Sequence, residues 1–170
     1  MTPVYRQPIV HPAAWKSADI GGKADFTRAL TGEQLAGFDA LLKKTESLSP
    51  HDVTRQDFDH PAINHLGAQL KHEIMEGRGA VILTGITRER YSDLQMERIY
   101  FGLGTHLGVA AEQSAWGDKL GYVQEEEVDP VARGYRSSAE LNMHTDSYEI
   151  VGLMCIQKAV SGGFSGLVST

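Results

Sequence analysis

The 170-residue sequence has little cysteine, no concentrated basic stretch and no long apolar run. Its one cysteine, Cys155, cannot form an internal disulfide, which is typical of a protein of the reducing cytoplasm. The net charge is −6 and the Lys and Arg residues are dispersed, so a nucleic-acid partner is disfavoured. Apolar runs such as 80–83 and 151–156 are too short to cross a bilayer, so no membrane partner is predicted.

What remains is the composition of an ordinary globular protein, with 41% hydrophobic and 22% charged residues. The length suits one domain with its own core. Residues 1–30, which mix Pro, Gly and polar side chains, are predicted to form an extended arm. Cys155 lies in an apolar run and is predicted to be a core residue rather than a nucleophile.

Helical signals dominate residues 31–108. Thr31 and Gln34 form a capping box that predicts a helix over 32–48, ended by Ser49-Pro50. A second helix is predicted to begin at Pro61, a favourable first helical residue, and to stop at Gly77.

The same part of the chain contains one predicted strand and a third helix. A β-rich apolar run between glycines, 79–85, predicts a buried strand. Ser92 and Gln95 repeat the capping box, and they open a helix with an apolar stripe of Met96, Tyr100, Leu103 and Leu107.

Residues 109–170 have a different character, because glycines separate short β-like runs at 120–123, 139–146, 151–157 and 166–169. Helices followed by strands predict an α+β fold, in which helices buttress an antiparallel barrel or sandwich. The last run stops where a strand should continue, which would leave an unpaired strand. We therefore expect the sequence to be the truncated N-terminal part of a single domain.

The segment with the most chemistry is Leu141-Asn-Met-His144-Thr-Asp146. Residues two apart on a strand share a face, so His144 and Asp146 are expected to point the same way. An imidazole and a carboxylate are two of the three ligands in the 2-His-1-carboxylate triad of non-haem iron enzymes. On the tripeptide alone, a strand histidine hydrogen-bonded to a neighbouring carboxylate is the better interpretation.

The downstream context favours iron. Ser161-Gly-Gly-Phe-Ser165 follows the apolar run 151–156, and the stretch 141–166 resembles the taurine dioxygenase-like family of iron(II)- and 2-oxoglutarate-dependent dioxygenases. In that family a His-Thr-Asp motif is followed by a strand and a Gly-Gly-x-Thr/Ser turn. The order of predicted elements over 61–170 is similar as well. The resemblance implies a double-stranded β-helix, or jelly-roll, core buttressed by the N-terminal helices.

The resemblance also implies roles for individual residues. His144 and Asp146 would ligate Fe(II), and the Ser165 hydroxyl would help to hold a carboxylate of the co-substrate 2-oxoglutarate; a plain turn serine remains the alternative. Asn142 shares the face of His144 and would contact a bound molecule or support a ligand through a hydrogen bond. The implied reaction uses dioxygen to hydroxylate or otherwise oxidise a small molecule, with release of succinate and CO2. Asp146 favours this outcome over halogenation, in which a small residue replaces the carboxylate.

Two family residues have no counterpart in the sequence. The distal histidine ligand and the arginine that pairs with 2-oxoglutarate are expected beyond residue 170, so the chain alone is predicted to be inactive. Gln113, Trp116 and Tyr148 are the candidates for substrate contacts, although Trp116 also suits a core position.

Several alternatives stay open. One is a non-catalytic jelly-roll relative that binds a small ligand or metal, and another is a cupin-type metal protein. The resemblance allows a homo-oligomer, but the residues do not decide between this and a monomer.

Overall fold

The computed structural model describes residues 6–114, 117–123 and 142–169. Its helices are α1 (Lys23–Phe26), α2 (Gly32–Lys44), α3 (Pro61–Met75) and α4 (Asp93–Leu107). Both predicted capping boxes are confirmed, because Thr31 and Ser92 each accept a hydrogen bond from the backbone N–H three residues later. Helix α3 begins at Pro61 as predicted.

Helix α2 is shorter than the predicted 32–48. It ends at Lys44, and Leu48 closes a turn by donating its backbone N–H to the Thr45 carbonyl at 3.0 Å. Arg98 of α4 is 4% exposed and donates to the Leu48 carbonyl at 2.8 Å. The carbonyls of Thr45 and Leu48 thus accept hydrogen bonds from donors outside α2. Residues 45–48 therefore do not continue α2, which ends at Lys44.

The predicted strand at 79–85 is present as β2 (Ile82–Thr84), but the prediction that it is buried is wrong, because Ile82 and Thr84 are exposed. Its partner is β1 (Thr27–Ala29), which pairs with it in parallel, Arg28 opposite Leu83. The extended arm predicted for 1–30 is therefore wrong over 23–29, where α1 and β1 form. The pairing joins segments more than fifty residues apart, and no local signal in the sequence reports such a contact.

The core lies between α2, α3 and α4. Two glycines allow the close approach: a Cβ added to Gly67 would lie 2.5 Å from Cβ of His106, and one added to Gly102 would lie 2.5 Å from the Phe58 ring. The apolar side chains buried there are Phe38, Leu41, Leu42, Val53, Phe58, Ile63, Leu66, Leu70, Tyr91, Met96 and Ile99. None of the described helices combines the length and apolar character needed to span a bilayer.

The predicted strands after residue 108 are not seen in the described residues. Residues 120–123, 142–146, 151–157 and 166–169 carry neither helix nor strand, and the remainder of the 139–146 run lies outside the described residues. The described part is thus helical with one parallel strand pair, and it does not show the antiparallel barrel. A β-pattern becomes a strand only when a neighbour accepts its backbone hydrogen bonds, and these segments have no such neighbour among the described residues.

Candidate iron site

His144 and Asp146 lie close together although they are not on a strand. Nε2 of His144 is 3.8 Å from Oδ1 of Asp146, and the two side chains are 56% and 49% exposed. The expectation that both point the same way therefore agrees with the observed distance. The strand that would give this shared direction is absent, because residues 142–146 are not in a strand.

The backbone of Asn142 orients the imidazole. Nδ1 of His144 lies 2.7 Å from the Asn142 carbonyl oxygen. A carbonyl only accepts hydrogen bonds, so Nδ1 carries the proton and donates it. In the neutral imidazole the lone pair is then on Nε2, the nitrogen nearer Asp146. Histidines that bind metals are commonly oriented in this way, by a hydrogen bond from the second ring nitrogen.

This donor pair fits an iron(II) ion. Nε2 of His144 and Oδ1 of Asp146, which lie 3.8 Å apart, are the donor atoms that such an ion would meet. Imidazole nitrogen with carboxylate oxygen is also the donor chemistry of non-haem iron.

Among the described residues, the site holds two donors and not three. Among residues 6–114, 117–123 and 142–169, no three His, Cys, Asp or Glu side chains cluster closely enough to hold a metal ion. The two donors fit iron in kind, but they leave the ligand set incomplete in this part of the chain.

The serine turn, residues 161–165, lies beside the candidate metal-binding segment, residues 142–146. Gly162 and Gly163 have φ angles of 73° and 68°, in the left-handed region that favours glycine. A Cβ added to Gly166 would lie only 2.8 Å from Cε of Met143. The backbone next to Ser165 thus lies against the neighbour of His144. The sequence pattern did not predict this contact, since Met143 was not among the candidate residues.

Of the predicted substrate residues, Gln113 and Tyr148 can be placed, and Trp116 lies outside the described residues. Gln113 belongs to a turn in which its backbone N–H donates to the Asp118 carbonyl and its side chain to the Ala111 carbonyl at 3.2 Å. Tyr148 is 51% exposed, two residues after Asp146. Neither of these Gln113 hydrogen bonds reaches His144 or Asp146.

Residues 151–157 connect the two halves of the candidate site and pack on the helical layer. Met154 and Ile156 are partly buried against the core, whereas Leu153 and Cys155 are exposed. The prediction that Cys155 is a core residue is therefore wrong. The run 151–156 is apolar throughout, so its sequence could not show which face turns inward.

A tyrosine attaches this connecting segment to α4. The Tyr100 hydroxyl donates to the Gly152 carbonyl at 2.5 Å, and burial raises the pKa of that hydroxyl. The sequence pattern predicts Tyr100 only as part of the apolar stripe of the helix. The available signal was the hydroxyl itself, because a partly buried tyrosine usually finds a hydrogen-bond partner.

The candidate residues are not enclosed. A cleft of about 390 Å³ lies beside β1 and the end of α3, and a second of about 290 Å³ lies between α2 and α4. Neither is lined by His144, Asp146 or Ser165. The candidate pair, His144 and Asp146, lies on an open surface of the described structure, with about half of each side chain exposed.

Comparison with known proteins relates this chain to a family. FR-33289 synthase from Streptomyces rubellomurinus (strain ATCC 31215) is 24% identical over 172 residues, covering 96% of this chain and 50% of that protein. Taurine hydroxylase-like protein SAT17 from Stachybotrys chartarum (strain CBS 109288 / IBT 7711) is 27% identical over 169 residues, covering 92% of this chain and 44% of that protein. The chain spans about half the length of the curated relatives it matches.

A family model gives the decisive match. It describes taurine catabolism dioxygenases and aligns with residues 44–170, well over half of the chain, including both motifs of the candidate site. Members of this family generally depend on Fe(II) and 2-oxoglutarate and have a double-stranded β-helix fold. The chain belongs to the Taurine catabolism dioxygenase TauD, TfdA family.

Proposed function

We propose that this chain supplies two iron ligands to an iron(II)- and 2-oxoglutarate-dependent dioxygenase that hydroxylates or otherwise oxidises a small molecule. The observation that carries the proposal is the approach of His144 Nε2 to Asp146 Oδ1 at 3.8 Å, in a chain of this dioxygenase family. The Asn142 carbonyl supports it, because the hydrogen bond to Nδ1 leaves the lone pair on the nitrogen that a metal would need.

The proposed role of each residue follows from its chemistry. His144 and Asp146 would hold the metal, and the carboxylate would contribute a negative charge that favours a divalent cation. The Ser165 hydroxyl would donate a hydrogen bond to a carboxylate of 2-oxoglutarate. When bound, iron and 2-oxoglutarate would supply the oxidising chemistry, with dioxygen consumed and succinate and CO2 released.

The rest of the site must come from outside the described residues. Two protein ligands bind iron less firmly than three, and a half-exposed pair does not exclude water from a reactive centre. We therefore propose that the third ligand and the arginine for 2-oxoglutarate belong to sequence equivalent to the other half of the relatives. The 170 residues alone are expected to be inactive.

The test is an anaerobic titration of the full-length protein with Fe(II) and then 2-oxoglutarate. The proposal predicts a weak visible charge-transfer band that is lost in His144→Ala. His65→Ala is the matched control, because His65 is an exposed histidine on α3, and it should keep the band. A folded wild-type protein without the band would contradict the proposal. Iron binding without any response to 2-oxoglutarate would instead favour a cupin-type metal protein.

A further inference from the structure

Tyr100 reaches from the helical layer to the segment that follows the iron-binding pair. Its hydroxyl donates to the Gly152 carbonyl at 2.5 Å, and Gly152 lies between Asp146 and Ser165 in the sequence. The approach is close, since a Cβ added to Gly152 would lie 3.0 Å from the Tyr100 oxygen. The backbone of the connecting segment is thus bonded directly to α4.

Few hydrogen bonds attach this segment to the rest of the described protein. In the described part of the chain, three bonds join residues 142–169 to the rest of the protein: Tyr100 to Gly152, Arg88 to Gln157 and Ser169 to Ala13. The bond from Arg88 is long, at 3.5 Å, and the same guanidinium also pairs with Asp93 at 3.0 Å. The Tyr100 bond is the one nearest to His144 and Asp146 along the chain.

Apolar packing cannot replace this bond. Met154 and Ile156 rest against the core, but such contacts have no preferred direction and permit a segment to slide. A hydrogen bond to one carbonyl has a required distance and angle, and it therefore selects one register of the segment on α4.

We infer that Tyr100 is a positioning residue for the proposed iron site. By holding Gly152, it sets how the chain runs from the metal-binding pair to the serine turn, and so how far Ser165 lies from His144. The contact between Met143 and Gly166 closes this loop on its other side. The inference rests on the proposed function, but the attachment itself can be tested without iron.

The first measurement uses Cys155, the single cysteine of the chain, which is exposed in the connecting segment. A nitroxide spin label on Cys155 of the 170-residue chain reports the mobility of that segment by electron paramagnetic resonance. Tyr100→Phe should narrow the spectrum. Tyr91→Phe is the matched control: it also removes a hydroxyl of the helical layer, here bonded to Asp39 at 2.9 Å, and should leave the spectrum unchanged. Equal spectra in all three proteins would overturn the inference.

The second measurement is the anaerobic 2-oxoglutarate titration of the full-length protein. Tyr100→Phe should raise the apparent Kd for 2-oxoglutarate about fivefold, the effect of one ordinary hydrogen bond. Tyr91→Phe should bind like the wild type. Unchanged affinity in Tyr100→Phe would overturn the positioning role even if the label becomes more mobile. A wild-type protein that gives no charge-transfer band would contradict the proposed function and with it the positioning role, while the spin label would still decide whether Tyr100 holds the segment.

Discussion

Replacing Gly102 with alanine tests the packing of the helical layer that supports the site. The added Cβ would lie 2.5 Å from Cγ and Cδ2 of the Phe58 ring and 2.6 Å from Cε2. The ring has little room to retreat, because Phe58 is fully buried and packs against Phe38 with ring centroids 6.2 Å apart. The helix must shift away from residue 58, or the ring must leave its preferred rotamer.

Two opposing effects set the magnitude. Alanine is favoured over glycine inside a helix by about 1 kcal/mol. Overpacking a buried site costs about 1–3 kcal/mol, and a contact this short against a rigid ring belongs in the upper part of that range. We expect Gly102→Ala to lower the free energy of unfolding by about 1–2 kcal/mol.

Gly104→Ala is the matched control in the same helix. Gly104 is exposed, and an added Cβ would meet no atom within 4 Å. Only the helix preference then remains, so this variant should be more stable than the wild type by about 0.5–1 kcal/mol. Urea unfolding of the 170-residue chain, followed by far-ultraviolet circular dichroism, measures both variants. Gly102→Ala as stable as Gly104→Ala would refute the packing of α4 against Phe58.

Two further predictions concern a titratable group and the co-substrate turn. Burial lowers the pKa of His106, so the unfolded chain binds a proton at a higher pH than the folded chain does. The free energy of unfolding should therefore decline below about pH 6.5. His106→Gln should make this decline shallower when urea unfolding is measured at a series of pH values. If the free energy of unfolding declines just as steeply in His106→Gln, another titratable group causes the pH dependence. In the full-length protein, Ser165→Ala should raise the apparent Kd for 2-oxoglutarate about tenfold with iron affinity unchanged, because a hydrogen bond to a carboxylate is lost. Ser161→Ala, on the same turn, is the control; equal affinities for the two variants would exclude the role of Ser165.

The sequence predicted the helical elements well because their signals are local. A capping box such as Ser92 with Gln95 places its two partners within one turn, and both boxes form as expected. The end of α2 was missed, since it depends on Arg98, a residue more than fifty positions away. Strand β1 was missed for the same reason: its existence depends on pairing with β2.

The donor residues of the candidate site remain a prediction from the sequence, and the contacts that surround them were not predicted. The pair His144 and Asp146 followed from residue type and spacing together with the family resemblance. The contact of Met143 with Gly166 and the bond from Tyr100 to Gly152 join parts of the chain that are distant in sequence. The β-segments after residue 108 show the converse: an alternating or apolar pattern specifies a strand only when a partner strand is in place.

Iron stoichiometry tests the central claim most directly. Full-length wild-type protein and His144→Ala are loaded with Fe(II) without oxygen, freed of unbound metal, and analysed for iron per chain. We predict close to one iron in the wild type and in the His65→Ala control, and almost none in His144→Ala. A His144→Ala protein that is folded and still holds one iron per chain would show that His144 is not a ligand.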